Sequence, residues 1–410
     1  MGVSKLPFLF LPKDILVEIL SKLPAKSLVR LRCVSKFFSA LIADHGFGVL
    51  HRSLSLKLPN RAGILIVIIP RTPYHSRSTP VFYTINFSEK NPQQLQANRA
   101  RYLDGQPYVV DHLRSSSDGL VCLHKNNSYV DVCNVSTGQR ISLPRIPFHV
   151  ESPCALLGFD SESKRYKVLM SASTSIDRVN GRRDGTIFFK YKHWVLTVGV
   201  DKSWREINNN NSNSHLLYTF DGYRCANYWA SFWANYSDTS VYIDGVIYSY
   251  KCNWLTKVHP LSFGIVAFEV GSESFFEIPL PNEISLQYYY THAFGLLQVD
   301  GGRLAIVLVF EISSSYMGVW TWEKFKKCWE KIITIIPYRI DEVRALRFTT
   351  NHAGEIVLLS INSKQLSILV YNLKSKVWRK FDVGGVEEFP IFCHSDVRMY
   401  RTMDNMFSLE

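Results

Sequence analysis

The sequence predicts a multidomain α+β chain, in which a short module of three helices precedes an all-β, propeller-like domain of about six blades. Two observations separate the parts. Apolar residues recur with helical spacing over residues 11–50 only. From about residue 60 the period becomes two, and Val, Ile, Tyr, Phe and Trp alternate with Gly, Asp, Asn and Ser turns. The third observation is a loose internal repeat in the β part, which predicts the blades.

The helical module has clear start and stop signals. A proline and an acid at residues 11–14 begin the first helix, an apolar stripe runs over 15–23, and Pro24 ends it. A second short helix is expected over residues 27–33, and Ser35 is placed to cap a third. Three such short helices enclose only a small core, so much of their apolar surface is expected to meet a partner.

The repeat in the β part has a glycine turn, a strand, a second strand and a short strand that carries aromatic residues. Copies span residues 117–144, 242–279, 300–332 and 353–379, and a degenerate copy spans 157–207. A four-stranded blade cannot bury both of its faces alone, so stacking of blades into a ring builds the core and hides sheet edges. The spacing of the copies predicts about six blades.

These signals predict the domain boundaries. We expect an N-terminal tail over 1–10, the helical module over 11–50, a linker over 51–60, the β domain over 61–395 and a C-terminal tail over 396–410. The linker alternates apolar and polar residues, which is also compatible with a first strand.

The helical module resembles the F-box of plant proteins. The resemblance rests on Leu-Pro-Lys-Asp-Ile-Leu-Val-Glu-Ile-Leu-Ser-Lys-Leu-Pro-Ala-Lys-Ser-Leu at 11–28 and on Arg-Cys-Val-Ser-Lys at 32–36. Two phenylalanines at 37–38 stand where plant members usually place a tryptophan. The resemblance implies docking on the SKP-type adaptor of an SCF (SKP–cullin–F-box) ubiquitin ligase and, through it, on a cullin scaffold. The adaptor-binding residues that it carries over are Leu11, Pro12, Ile15, Leu16, Ile19, Leu20, Leu23, Pro24, Leu28, Leu31, Cys33, Val34, Lys36 and Phe38.

The β part resembles the plant F-box-associated, kelch-like domain. Its landmarks are Gly-Leu-Val-Cys-Leu at 119–123, Cys-Asn-x-x-Thr-Gly at 133–138, Leu-Gly-Phe-Asp at 157–160 and Tyr-Lys-Val at 166–168. The two resemblances together imply a substrate-recognition subunit of a ubiquitin ligase. The β domain would capture a target protein, and the receptor itself would supply no catalytic side chain.

Motifs for chemistry are scarce. The chain has no phosphate-binding glycine loop, no HExxH, no GxSxG and no zinc-ligand spacing. Asp-Gly pairs at 118/119, 244/245 and 300/301 recur once per repeat, which indicates turns rather than calcium ligands. We therefore predict no catalytic residue, no metal and no cofactor. An enzyme is the rival hypothesis, and it would require His, Tyr, Cys or acidic residues at matching positions of several blades.

Aromatic residues give the candidate for target recognition. All nine tryptophans lie beyond residue 190. Because aromatic side chains dominate binding hot spots, we predict a substrate-binding surface at Tyr228, Trp229, Trp233 and Tyr236. The competing interpretation is that these rings fill blade cores. A non-ligase propeller that binds carbohydrate or nucleic acid is the alternative function.

The charge distribution favours a protein partner. The chain carries a net +12, and residues 1–60 hold nine Lys and Arg against three acids, which is half of the surplus. An F-box adaptor is expected to be acidic, so this charge is better suited to steering the adaptor than to binding nucleic acid. The eight cysteines are scattered without a CxxC pair, and no secretory signal or spanning segment is found. We expect reduced thiols and a location in the cytoplasm and/or nucleus.

Overall fold

A computed structural model describes most of the chain. The described residues are 11–69, 80–87, 94–103, 116–125, 129–146, 151–178, 187–207, 240–254, 260–284, 293–310, 316–338, 345–361, 366–386 and 396–409. Across these ranges, four N-terminal helices are followed by 24 strands. None of the helices in them is long and apolar enough to cross a membrane.

The helices are α1 (Lys13–Ser21), α2 (Ala25–Arg32), α3 (Lys36–Ala43) and α4 (His45–Ser55). The first three are the helices that the sequence predicts, and the predicted cap of α3 is present, because Ser35 Oγ accepts a hydrogen bond of 3.2 Å from the Phe38 amide. Helix α4 is not predicted. Asp44 caps it by accepting a hydrogen bond from the Phe47 amide, and the helix continues to residue 55 of the segment that we expected to be a linker.

The strands follow in chain order. They are β1 (Ala62–Ile69), β2 (Val81–Asn86), β3 (Gln94–Arg99), β4 (Ser116–Ser117), β5 (Leu120–Lys125), β6 (Tyr129–Asn134), β7 (Arg140–Ser142), β8 (Glu151–Asp160), β9 (Arg165–Arg178), β10 (Ile187–Thr197), β11 (Arg205–Glu206), β12 (Ser240–Ile243), β13 (Val246–Trp254), β14 (Pro260–Glu269), β15 (Ser274–Ile278), β16 (Ala293–Val299), β17 (Arg303–Phe310), β18 (Tyr316–Glu323), β19 (Cys328–Ile335), β20 (Ala345–Thr350), β21 (Ile356–Ile361), β22 (Leu366–Asn372), β23 (Val377–Gly384) and β24 (Asp396–Met403).

These strands form six four-stranded blades. Blade 1 is β24 with β1–β3, and blades 2 to 6 are β4–β7, β8–β11, β12–β15, β16–β19 and β20–β23. The first strand of each blade contacts the first strand of both neighbours, which closes a ring around a central channel. The outer strands β23 and β3 also pair in parallel, so blades 6 and 1 share one eight-stranded sheet. The propeller-like prediction is confirmed.

The ring is closed by the C-terminal strand. All eight residues of β24 pair antiparallel with β1, from Met403 opposite Ala62 to Asp396 opposite Ile69. The segment 396–410, which we predicted to be a tail, therefore contains the innermost strand of blade 1. The repeat could not reveal this blade, because its strands come from opposite ends of the chain.

The aromatic residues of the repeats tie neighbouring blades together. Trp204 Nε1 of blade 3 donates a 2.8 Å hydrogen bond to the Pro144 carbonyl, which follows the last strand of blade 2. Trp329 Nε1 of blade 5 donates a 2.7 Å hydrogen bond to the Pro279 carbonyl, which follows the last strand of blade 4. The hydroxyl of Tyr242 in blade 4 donates to a carbonyl of blade 3 at 2.8 Å. Each ring thus fills apolar space and satisfies a polar group of the next blade.

The Asp-Gly pairs are turns between the first two strands of a blade. Asp118 and Gly119 have φ values of 53° and 81°, and Asp244 and Gly245 have 45° and 86°. Aspartate tolerates this left-handed conformation better than most residues, and glycine adopts it freely. A Cβ on Gly119 would lie 2.2 Å from the carbonyl oxygen of Met403. The turn interpretation of these pairs is confirmed.

The propeller has two unlike faces, because neighbouring strands within a blade run antiparallel. The turns that join first to second and third to fourth strands lie on one face, which we call the helix face because α4 packs against it. The remaining connections, within and between blades, start and end on the opposite face, which we call the loop face. Residues 208–239 connect β11 to β12 and therefore leave and rejoin the described structure at the loop face.

Candidate functional site

The structure divides the predicted adaptor-binding residues by burial. Eight are exposed, namely Leu11, Pro12, Ile15, Ile19, Pro24, Cys33, Val34 and Lys36. Leu23, Leu31 and Phe38 are half-buried, and Leu16, Leu20 and Leu28 are buried in the core of the helical module. The buried and half-buried members therefore hold the helices together, and the exposed ones form the candidate docking surface.

One face of the first helix is apolar and open. Ile15 and Ile19 are 43% and 44% exposed, and their spacing of four residues places them on one side of the helix. Leu11, which is 37% exposed, lies just before the helix begins. A second exposed group lies at the start of α3, where Val34, just before the helix, is 62% exposed and Phe37, in its first turn, is 43% exposed. Seven of the sixteen exposed large hydrophobic residues in the described ranges lie between residues 11 and 56. This concentration is typical of a protein-binding surface.

Phe37 is a residue that the sequence analysis missed. The resemblance points to Phe38, but that ring packs against the core of the helical module. Phe37 contacts it edge to face, with ring centroids 5.5 Å apart, and stays in solvent. The helical phase of α3 could have separated the two, because Leu41 and Ile42, which are buried, share the side of Phe38.

The helices are seated on the propeller through Arg52 of α4. Its Nε donates a 2.7 Å hydrogen bond to Asp118 Oδ2 in the first turn of blade 2, and a second bond joins its Nη2 to the same oxygen. The guanidinium also lies 3.7 Å from the ring centroid of Phe159, and its Nε lies 3.1 Å from the Tyr166 hydroxyl in blade 3. Burial by itself would lower the pKa of Arg52. The attraction of the Asp118 carboxylate is stronger than this effect, so the pKa of Arg52 is raised. Arg52 is therefore a permanent, internal cation.

The chain after β24 fills the joint between the two domains. Met406 belongs to the same apolar cluster as Leu16 and Leu28 of the helical module, whereas Phe407 and Leu409 belong to the cluster between blades 2 and 3. The amide of Asp404 donates to the Arg61 carbonyl at 2.7 Å. We call residues 404–409 the C-terminal staple, since it belongs to both cores.

Asn405 is the polar centre of the staple. Its Nδ2 donates hydrogen bonds to the Asp118 carbonyl at 2.7 Å and to the Tyr166 hydroxyl at 3.1 Å. Its Oδ1 accepts from the Phe407 amide, and its carbonyl accepts from Asn134 Nδ2 at 3.0 Å. Because Asn405 is completely buried, these bonds fix one orientation of the staple between blade 2 and blade 3.

A second buried network joins α4 to the end of α1. Arg61 donates to the carbonyls of Ser21 and Leu23 and, through Nη1, to Ser55 Oγ at 3.0 Å. Ser55 contacts His51 Nδ1, and His51 Nε2 lies 3.1 Å from the Leu23 carbonyl. The same nitrogen also lies 3.3 Å from Arg61 Nη1, so it faces one group that can only accept a hydrogen bond and one that can only donate. Burial lowers the pKa of His51 to about 4.

This histidine makes stability depend on pH. Unfolded His51 titrates near pH 6.5, so below that pH the unfolded chain binds a proton that the folded chain binds only near pH 4. We therefore expect the free energy of unfolding to fall as the pH drops from about 6.5 towards 4, with His51 contributing about 3 kcal/mol. Urea unfolding at pH 7 and pH 4.5 measures this difference. In His51→Gln the difference should be smaller, and an unchanged difference would contradict the assignment.

The predicted target-binding residues Tyr228, Trp229, Trp233 and Tyr236 lie outside the described residues, so their role stays a prediction. Within the described ranges, no group of three or more His, Cys, Asp or Glu side chains is placed to hold a metal ion.

The geometry defines a class of protein, in which a small helical module with an exposed apolar surface is seated on a six-bladed propeller. Comparison with family models identifies both parts. Residues 8–50 match the F-box domain and residues 74–406 match the F-box associated beta propeller domain. The chain belongs to the family of F-box proteins that carry an F-box associated domain.

Plant relatives agree with this membership. An F-box protein of Arabidopsis thaliana is 24% identical over 414 residues, which cover 93% of this chain and 88% of that one. An F-box/kelch-repeat protein of the same plant is 25% identical over 400 residues, covering 93% and 90%. Among solved structures, Kuenenia stuttgartiensis hydrazine synthase matches with a TM-score of 0.44 and 10% identity, over 87% of this chain and 48% of that chain. A match at this level carries no argument about function.

Proposed function

We propose that this protein is the substrate-recognition subunit of an SCF-type ubiquitin ligase. Its F-box binds a SKP-type adaptor, which connects it to a cullin scaffold, and its propeller captures a target protein for ubiquitination. The observation that carries the proposal is the open apolar face of α1, where Ile15 and Ile19 remain in solvent although Leu16 and Leu20 complete the core. An isolated domain gains nothing from two exposed isoleucines on one helix face, whereas an adaptor interface buries them.

Charge supports an acidic partner for the same helices. Lys13, Lys22, Lys26 and Lys36 are exposed around the F-box. Arg52 does not add to this surface charge, because Asp118 neutralises it inside the protein. The positive potential that remains on the surface would speed association with an acidic adaptor and would be weakened by salt.

The arrangement of the domains suits the proposed division of labour. The F-box occupies the helix face of the propeller, so the loop face is free of it. The connection 208–239 leaves and rejoins the described structure at that loop face. A target held there would be presented at a fixed orientation to the adaptor. Catalysis would then arise from proximity alone, with the chemistry supplied by other subunits.

The docking proposal is tested with exposed residues only. Ile15→Asp/Ile19→Asp should abolish co-purification with a plant SKP-type adaptor, because two carboxylates would be desolvated without partners. Val200→Asp is the matched control, since this valine is 54% exposed on the propeller, and it should bind like the unmodified protein. Circular dichroism and thermal unfolding should show both variants folded. Undiminished adaptor binding by the double variant would refute the proposal.

A further inference from the structure

The outer hairpin of blade 5, formed by β18 and β19, is the second place where exposed apolar side chains concentrate. Nine of the sixteen exposed large hydrophobic residues in the described ranges lie beyond residue 56, and four of these nine lie on this hairpin. The other five are scattered singly over the rest of the propeller. Single exposed apolar residues are ordinary on a protein surface, whereas a group of them indicates a binding surface.

Three of the four residues form one patch. Tyr316 begins β18, and Ile335, which ends β19, is paired directly opposite it. Ile333 lies two residues before Ile335 and therefore on the same side of the strand. We call Tyr316, Ile333 and Ile335, which are 43%, 56% and 61% exposed, the blade 5 patch. It lies at the loop face, where β18 starts and β19 ends, whereas Phe325 lies in the turn at the helix face.

The blade 5 patch adjoins a free sheet edge. Within the described ranges, β19 is the last strand of its sheet and no further strand pairs with it. Such a strand directs every second backbone N–H and C=O away from the sheet. β19 has eight residues, whereas the open outer strands β7, β11 and β15 have three, two and five, and β3 and β23 cover each other. An extended peptide backbone is the partner that satisfies a long open edge.

The charge along this edge favours an acidic partner. The exposed cations of the hairpin are Lys324, Lys326, Lys327 and Lys331. Its two acids already have cationic partners. Glu323 contacts Arg303 at 2.9 Å, and Glu330 contacts Lys326 at 3.1 Å. Lys331 lies 3.8 Å from Glu283, a long contact between partly exposed side chains. Four lysines against two glutamates leave the hairpin at +2, so a second copy of this chain would bring two positive hairpins together.

We propose that the outer edge of β19 binds an extended, acidic peptide segment of a target protein. The segment adds a fifth strand to blade 5 and places apolar side chains on the blade 5 patch. Main-chain hydrogen bonds align it, and the patch and the lysines select its sequence. This inference rests on the proposed function, because it names the kind of target segment that the propeller captures. The blade 5 patch and the F-box lie on opposite faces, so peptide binding and adaptor docking are measured separately.

Fluorescence anisotropy of a labelled peptide with the full chain, without adaptor, tests the proposal. The probe is an eight-residue peptide, the length of β19, in which valine and glutamate alternate, and a second peptide carries lysine in place of glutamate. We expect saturable binding of the acidic peptide and at least about tenfold weaker binding of the basic one. Amide hydrogen exchange should become slower in β19 when the acidic peptide binds, because outward N–H groups gain partners, and should not change in β23.

Two variants complete the test. Ile333→Asp/Ile335→Asp should weaken binding of the acidic peptide at least about tenfold, because its carboxylates remove the apolar contact and repel the peptide. Val377→Asp is the matched control, since this valine is 52% exposed on β23, whose edge is already paired, and it should bind like the unmodified protein. Circular dichroism and thermal unfolding should show both variants folded.

Four results would overturn the proposal. These are no saturable binding of the acidic peptide, equal binding of the two peptides, unweakened binding by the double variant, and unchanged exchange in β19. Light scattering adds a check on the oligomeric state, because a dimer that the double variant abolishes would assign the edge to a second copy and would also overturn it. Co-purification with the adaptor is an independent readout, so failure of peptide binding would leave the docking proposal standing.

Discussion

Phe407→Ala is expected to lower the free energy of unfolding by about 3–5 kcal/mol, the usual cost of removing a buried phenylalanine ring. The ring is 1% exposed. It contacts Tyr166 and Phe159 of blade 3 edge to face, with centroids 4.8 Å and 6.4 Å away, and it contacts His45 of the F-box at 5.1 Å. Its loss opens a cavity at the point where the two domains meet, so the variant should also loosen the F-box.

Chemical unfolding of this variant needs a matched control. Phe325→Ala removes the same side chain from a fully exposed position and should change the free energy of unfolding by less than about 0.5 kcal/mol. Limited proteolysis between α4 and β1 adds a domain-level measurement, and cleavage there should be faster in Phe407→Ala only. Equal stabilities of the two variants would show that the C-terminal staple does not join the domains.

Asp118→Ala is expected to be the other strongly destabilising change, at about 3–5 kcal/mol, because it leaves the Arg52 guanidinium buried without its counter-ion. The two side chains are only 11% and 10% exposed. Truncating both partners should cost less than truncating Asp118 alone, because no charge then remains in the joint. Arg52→Met/Asp118→Ala is therefore expected to recover part of the loss.

A double-mutant cycle measures this coupling. The variants Arg52→Met, Asp118→Ala and their combination should give a coupling free energy of about 2 kcal/mol or more. The exposed pair Lys326–Glu330, whose side chains are 68% and 48% exposed, serves as the control, and its coupling should stay below about 0.5 kcal/mol. Similar coupling in both cycles would mean that the Arg52 contact is a surface ion pair rather than a structural joint.

Local signals predicted much of the architecture. The apolar spacing before Pro24 and the cap at Ser35 are properties of a few neighbouring residues, and both gave the correct helices. The left-handed φ values at Asp118 and Asp244 bear out the turn interpretation. Each of the five repeat copies lies in one blade, because each of blades 2 to 6 is a contiguous chain segment of four strands with its own turns.

The joint between the domains escaped prediction because it depends on contacts that are distant in sequence. Strand β24 pairs with β1 across more than 300 residues, and no repeat signals such a pair. Met406 lies in a short apolar run that, read alone, indicates a tail, yet it completes the F-box core. In the sequence, Arg52 is one of several positive charges in the helical module, and nothing near it indicates that it pairs with Asp118.

The sequence predicted the residues of the candidate docking site as one set, but it could not separate those that are exposed from those that hold the helices together. A family motif contains residues that fold the helices and residues that meet the partner, and both kinds are apolar. Leu16 and Ile15 are neighbours with the same chemistry, but the first is 4% exposed and the second 43%. Only the packing of α1 against the other helices separates them.

We propose that the F-box uses the open face of α1 while the propeller stays rigidly attached and free to bind a target. Amide hydrogen exchange of the full chain, with and without a purified plant SKP-type adaptor, tests it most directly. Slower exchange on adaptor binding is predicted for residues 11–37, with no change in the blade strands and no change in β24. Protection of the blades without protection of α1, or no binding of the adaptor at all, would contradict the account.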